Sequence, residues 1–207
     1  MLIIGSYHKT GTKIWRNIWK DYFKENTNFF KFYHHFNRIV NNLKDEKCLV
    51  LIRNPYEIIM SGMRYHQITN EDWCIKKFGN HSYKSYIKSL PIDKKIIFEM
   101  NNCAKDTILD IYNDIKFHNK NNNILFLKLE DITDTNKVGK ICYKICKFTN
   151  NQISFKRLYS IILSKIKIKY NKTTNYKGYT YQKYFKKEHY DLFNKIFPED
   201  LLKIMGY

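Results

Sequence analysis

The chain is 207 residues long, 43% hydrophobic, with a formal net charge of +18. That is the size of one domain with enough apolar residues for a sizeable core; no apolar run reaches bilayer length and no leader segment opens the chain, so a cytoplasmic protein without a membrane span is expected. Five cysteines, an odd number without a C-x-x-C pair, fit core thiols better than metal ligands, and a reducing compartment.

In chain order, Leu2-Ile3-Ile4 reads as a buried strand. A polar loop, Gly5 to Thr12, follows, and Lys13 to Phe23 has helical apolar spacing at Ile14, Trp15, Ile18 and Trp19. Asn26 to Asn28 reads as a turn and Phe29 to Tyr33 as a second strand, ending in His34-His35. A polar connection from Asn37 to Lys47 leads to a third strand, Cys48 to Ile52. Arg53 and Asn54 end it, and a helix from Pro55 to about Tyr65 follows, with Asn54 as its cap. Short helices are expected at Glu71–Lys77 and Tyr83–Ser89, and a long one from Ile96 to about Phe117. Ile124 to Leu127 reads as a fourth buried strand, Val138–Phe148 and Ser154–Leu163 as basic helices, Lys165 to Tyr181 as a surface loop, and Tyr190 to Met205 as a final helix. Repeated strand-loop-helix order predicts an α/β fold: one domain, residues 1–207, with a parallel sheet between helical layers.

The first loop concentrates anion-binding groups. Glycines let backbone N–H groups crowd a phosphate or sulfate, and the following helix points its positive dipole end at the same place. Lys9 adds a full charge, and Thr10 and Thr12 add hydroxyls. The loop departs from the triphosphate pattern G-x-x-x-x-G-K-[ST]: from Gly5 the next glycine is Gly11, one residue late, and Lys9 precedes it. A second anion anchor is Arg53 at the carboxyl end of a predicted strand, where open α/β sheets bind ligands, with Ser61 about two helical turns along. Charge is uneven as well. Lys, Asn, Ile and Tyr are abundant, as an AT-rich coding bias would make them, yet Thr135 to Lys187 holds fourteen Lys or Arg and no Asp or Glu. Such a stretch is either a solvated basic face or an attractor of polyanions.

The K-[ST]-G-T order at Lys9–Thr12 resembles the 5′-phosphosulfate loop of sulfotransferases, which use 3′-phosphoadenosine 5′-phosphosulfate (PAPS). The R-N-P-x-x-x-x-x-S motif, Arg53 to Ser61, resembles that family's 3′-phosphate motif and follows in the right order. Leu125–Ile132, Leu201–Tyr207 and the M-R-Y-H after Gly62 are also similar, so the resemblance covers nearly the whole chain. It implies a P-loop-like sulfotransferase architecture, PAPS as donor, no metal, and a hydroxyl or amine acceptor such as an anionic glycan or a small molecule; nucleic acid is not the expected partner, though the charge leaves it open.

By the same resemblance Lys9, His34 and Ser61 are the catalytic set. Lys9 would neutralise charge on the bridging oxygen of the donor, and His34, with His35 as the alternative, would be the general base. Lys9, Thr10, Gly11, Thr12, Lys13, Arg53, Ser61 and Phe155 would hold the nucleotide, together with a closing loop at Lys177-Gly178. Three positions depart from the family: Lys13 stands where a threonine is common, Leu129 where a tyrosine is, and Tyr176 where an arginine is. The alternatives are a nucleotide- or polyanion-binding protein that has lost turnover, and a P-loop kinase using Glu130-Asp131 for magnesium.

Overall fold

The structure is a computed structural model of residues 1–207 that describes all but residues 25, 27, 41, 42, 44, 79, 119 and 168–179. The chain is α/β, and its residues group into two compact units.

The first unit, residues 1–54 and 113–169, holds a parallel sheet. Its strands are β1 (Leu2–Ser6), β2 (Phe30–Tyr33), β3 (Lys47–Ile52) and β6 (Ile124–Lys128), in the order β2-β1-β3-β6. Gly5 pairs in register with Tyr33 on one side and Val50 on the other. Alternate strand residues share a face. Leu2, Ile4, Leu49, Leu51 and Leu127 form one face of the sheet, buried against three amphipathic helices: α1 (Thr12–Phe23), α8 (Val138–Phe148) and α9 (Phe155–Lys167). Trp15, Ile18, Trp19, Ile145 and Ile162 complete that core, each side chain contributing roughly 1.5–3 kcal/mol by leaving water. Between β6 and α8 lies the short helix α7 (Leu129–Thr133).

The second unit, residues 55–112 and 170–207, is mostly helical. It contains α2 (Pro55–His66), α3 (Asp72–Ile75), a small antiparallel pair β4 (Lys77–Phe78) and β5 (His81–Ser82), α4 (Tyr83–Ser89), α5 (Ile92–Asn101), α10 (Lys187–Ile196) and α11 (Leu201–Met205). Helix α6 (Cys103–His118) belongs to this unit up to Tyr112 and to the first from Asn113. Tyr56 is ringed by Tyr181, Phe185, Tyr190 and Phe193, with centroids 4.6–5.5 Å away. His66 Nδ1 lies 2.8 Å from Glu99 Oε2 in a fully buried pair, and Tyr83 donates to the same oxygen.

Two expected helices are broken. Ile96–Phe117 is split at Asn102, whose backbone leaves the helical region (φ −122, ψ −116). Tyr190–Met205 ends at Ile196 because Pro198 disfavours helical geometry at Phe197, and the chain turns before α11. The first strand also runs two residues further than Ile4, through Ser6.

Candidate functional site

The longer β1 shortens the loop to Tyr7–Gly11, and its internal bonds are organised around Tyr7. The Tyr7 carbonyl accepts from the Thr10 hydroxyl at 2.9 Å and the Thr12 hydroxyl at 3.1 Å. The Tyr7 N–H donates to Thr10 Oγ1 at 3.0 Å. Both threonine hydroxyls, expected to donate to an anion, therefore spend a proton inside the loop. Thr10 is fully buried. The Tyr7 hydroxyl reaches Asp114 Oδ2 of α6 at 2.6 Å, in a buried bond that ties the loop down.

Lys9 and Gly11 flank Thr10 with positive φ, 60° and 86°. For lysine that conformation costs about 1–2 kcal/mol, and such strain gathers at functional loops. Gly11 is required twice over: by its φ, and because a Cβ there would come within 2.7 Å of Leu129 Cδ1. Gly5 has a different use. It sits inside β1, where a Cβ would meet the Phe36 ring at 2.6 Å, so it serves packing and not the anion cradle.

Helix α1 opens at Thr12 with Gly11 as its cap residue. No side chain caps it and no acidic residue stands in its first turn. Its positive end thus has no acidic side chain to offset it, and Lys13 is exposed beside it.

β1 and β3 are neighbours, so Arg53 emerges next to the loop. Its Nη1 donates to the Lys9 carbonyl at 3.1 Å. The order β2-β1-β3-β6 reverses direction between β1 and β3, the switch point at which open α/β sheets bind ligands. Behind Arg53, the Asn54 N–H donates to Glu130 Oε1 at 3.0 Å, and Asp131 pairs with Lys137 at 2.8 Å. These two carboxylates thus brace backbone and helix, a use distinct from the magnesium ligands of the kinase alternative.

β2 ends at Tyr33, so His34 and His35 lie past the strand and its face alternation no longer separates them. His34 Nδ1 is 3.1 Å from His35 Nε2, with the rings edge-on. The His8 ring, from the loop, packs edge-on to His34 at 6.1 Å. Burial, and then the nearby Arg38 charge, hold the His35 pKa below its ordinary value. Either ring can be the donor in this contact; when His34 donates its Nδ1–H, its lone pair lies on Nε2.

The first unit thus brings together Lys9, Thr10, Gly11, Thr12, Lys13, His34 and Arg53. It does not bring Phe155 to them. The Ser154 N–H donates to the Tyr22 hydroxyl at 2.7 Å, which puts Phe155 by the far end of α1, about 15 Å along the helix from Thr12. Ser61 is buried in α2 of the second unit, and Lys177 and Gly178 lie outside the described residues.

Sequence reasoning passed over Tyr7 and the approach of His8 to His34, and it gave Leu129 and Glu130 other parts than the packing on Gly11 and the bond to Asn54 that they take. Tyr7 left one signal: a large aromatic residue in an otherwise small and polar loop. No protein-family model matches the chain, and no curated protein matches it.

Proposed function

We propose that the protein is a PAPS-dependent sulfotransferase that moves a sulfuryl group to a hydroxyl or amine acceptor. The observation that carries this reading is the bond from Arg53 to the Lys9 carbonyl. It joins two anion-binding motifs 44 residues apart at one switch point. The uncapped start of α1 and the positive φ of Lys9 and Gly11 fit a bound phosphate or sulfate.

When bound, the donor supplies the transferable sulfuryl group. Lys9 neutralises charge that builds on the leaving oxygen, and Arg53 offers a fork of donors to a phosphate. His34 Nε2 takes the acceptor proton, with His35 holding the tautomer. Ser61 is assigned to the 3′-phosphate on the motif alone. The basic residues between Thr135 and Lys187 favour an acidic acceptor.

Radiolabelled donor tests this without a known acceptor. Slow release of labelled sulfate into water is expected from the wild type and not from the Lys9→Ala variant. Equal release from both would count against the assignment.

One observation favours the second reading, a binding protein without turnover: the Thr10 and Thr12 hydroxyls are committed to the Tyr7 carbonyl. Donor binding without sulfate release would select it.

A further inference from the structure

The outer face of α8 carries charge that no described residue of the first unit neutralises. Lys140, Lys144 and Lys147 recur at helical spacing on that face, all exposed, over about 10 Å of axis. Among the described residues none of these three ammonium groups pairs with a carboxylate. Lys137 by contrast pairs with Asp131, and Lys165 with Asp21.

In the middle of the stripe stands Tyr143, 65% exposed. The same three lysines, Tyr143 and Phe148 line a shallow groove of about 410 Å³ against Leu125 of β6, the edge strand. The Lys47 ammonium lies 4.9 Å from the centre of the Phe148 ring.

A solvated basic face needs no exposed aromatic ring, and an ordinary apolar groove needs no row of cations along it. Together they match what a single nucleic-acid strand offers: phosphates for the lysines and an unpaired base for a π-face. Such stacking is sequence-tolerant, and a paired base inside a duplex has no face to give.

We propose that the outer face of α8 and its groove against β6 dock single-stranded nucleic acid, with phosphates at Lys140, Lys144 and Lys147 and a base on Tyr143. This does not rest on the sulfuryl-transfer reading, and its test uses no donor.

The test is fluorescence-anisotropy titration of the full chain with a short labelled oligothymidylate at several salt concentrations. A triple variant, Lys140→Glu with Lys144→Glu and Lys147→Glu, is compared with a control of equal charge change at the exposed Lys76, Lys88 and Lys94. The α8 triple should weaken binding by about tenfold or more. It should also reduce the slope of log K against log salt by about 2, because three phosphates are no longer neutralised. The control should cost less than about threefold.

Tyr143→Ala should lose about tenfold and Tyr143→Phe almost nothing, because phenylalanine keeps the stacking face. Sulfated dextran should be indifferent to Tyr143. Equal losses from the two triples would mean diffuse attraction by net charge and would overturn the proposal. So would a Tyr143→Ala variant with wild-type affinity, which would leave a general polyanion surface suited to an acidic glycan.

Discussion

The guanidinium of Arg53 donates to the backbone carbonyl of Lys9, so the end of β3 holds the loop that follows β1. The bond acts on the one residue in that loop whose backbone is strained and whose side chain carries charge. Arg53 is thus a brace for the loop, and under the proposed function it is also a donor to an anion.

Arg53→Ala should weaken binding of adenosine 3′,5′-bisphosphate by roughly ten- to a hundredfold. One charge-assisted hydrogen bond contributes about 1.5–3 kcal/mol, and each ~1.4 kcal/mol is tenfold. Arg53→Lys should recover little, because a lysine ammonium cannot brace the carbonyl and grip an oxyanion in one plane. Calorimetry decides this: wild-type affinity in Arg53→Lys would mean that charge alone suffices.

Gly11→Ala should destabilise the protein by two separable routes. The left-handed backbone costs about 1–2 kcal/mol for any side chain, and the new Cβ also meets Leu129. Adding Leu129→Ala should relieve the contact and leave the backbone cost. A double-mutant cycle by urea denaturation measures the split, and strict additivity would show that the contact is not felt.

Tyr7→Phe should cost about 1–3 kcal/mol, because it leaves Asp114 buried without its donor. Burial pushes the Asp114 pKa up, with the Tyr7 bond opposing. A raised folded-state pKa means a stabilising contribution that is complete below about pH 3.9 and lost as the pH rises through the folded value. Asp114→Asn keeps an acceptor for Tyr7 and drops the buried charge. Its stability relative to wild type should therefore rise as the pH increases from about 4 through the folded-state value. Denaturation at several pH values reads it, and a difference flat with pH would refute the linkage.

For His35 the sign is opposite. Its pKa is lowered in the fold, so its contribution is present above about pH 6.5 and lost as the pH falls through the folded value. His35→Ala should flatten that part of the stability profile. If His34 is the base, His34→Ala abolishes sulfuryl transfer while bisphosphate affinity stays within about threefold. His35→Ala should lower the rate, because the His34 ring loses the partner that orients it. Nitrogen-detected NMR of the imidazoles gives an independent check: the neutral His34 ring should carry its proton on Nδ1, and on Nε2 in the His35→Ala variant.

The strands and the helices after them were readable because each buried strand is a short apolar run and each helix keeps one apolar face. Leu2-Ile3-Ile4 and Cys48–Ile52 needed nothing else. What the sequence could not display was non-local. Gly5 looks like a loop glycine until Phe36, 31 residues on, is seen packed on its Cα. The threonines look like ligand donors until the Tyr7 carbonyl claims them. Phe155 looks like a base contact because a two-residue match says nothing of which end of α1 it reaches. Pro198 is a plain local signal inside an expected helix, and its restraint on Phe197 outweighs the apolar spacing there.

The most direct measurement is calorimetric titration of the chain with adenosine 3′,5′-bisphosphate, against ADP, without metal. Tight binding of the bisphosphate and weak binding of ADP are expected if Lys9, the start of α1 and Arg53 form one site for a 3′-phosphorylated nucleotide. Equal affinity for the two, or none for either, would contradict that site and with it the sulfuryl-transfer reading.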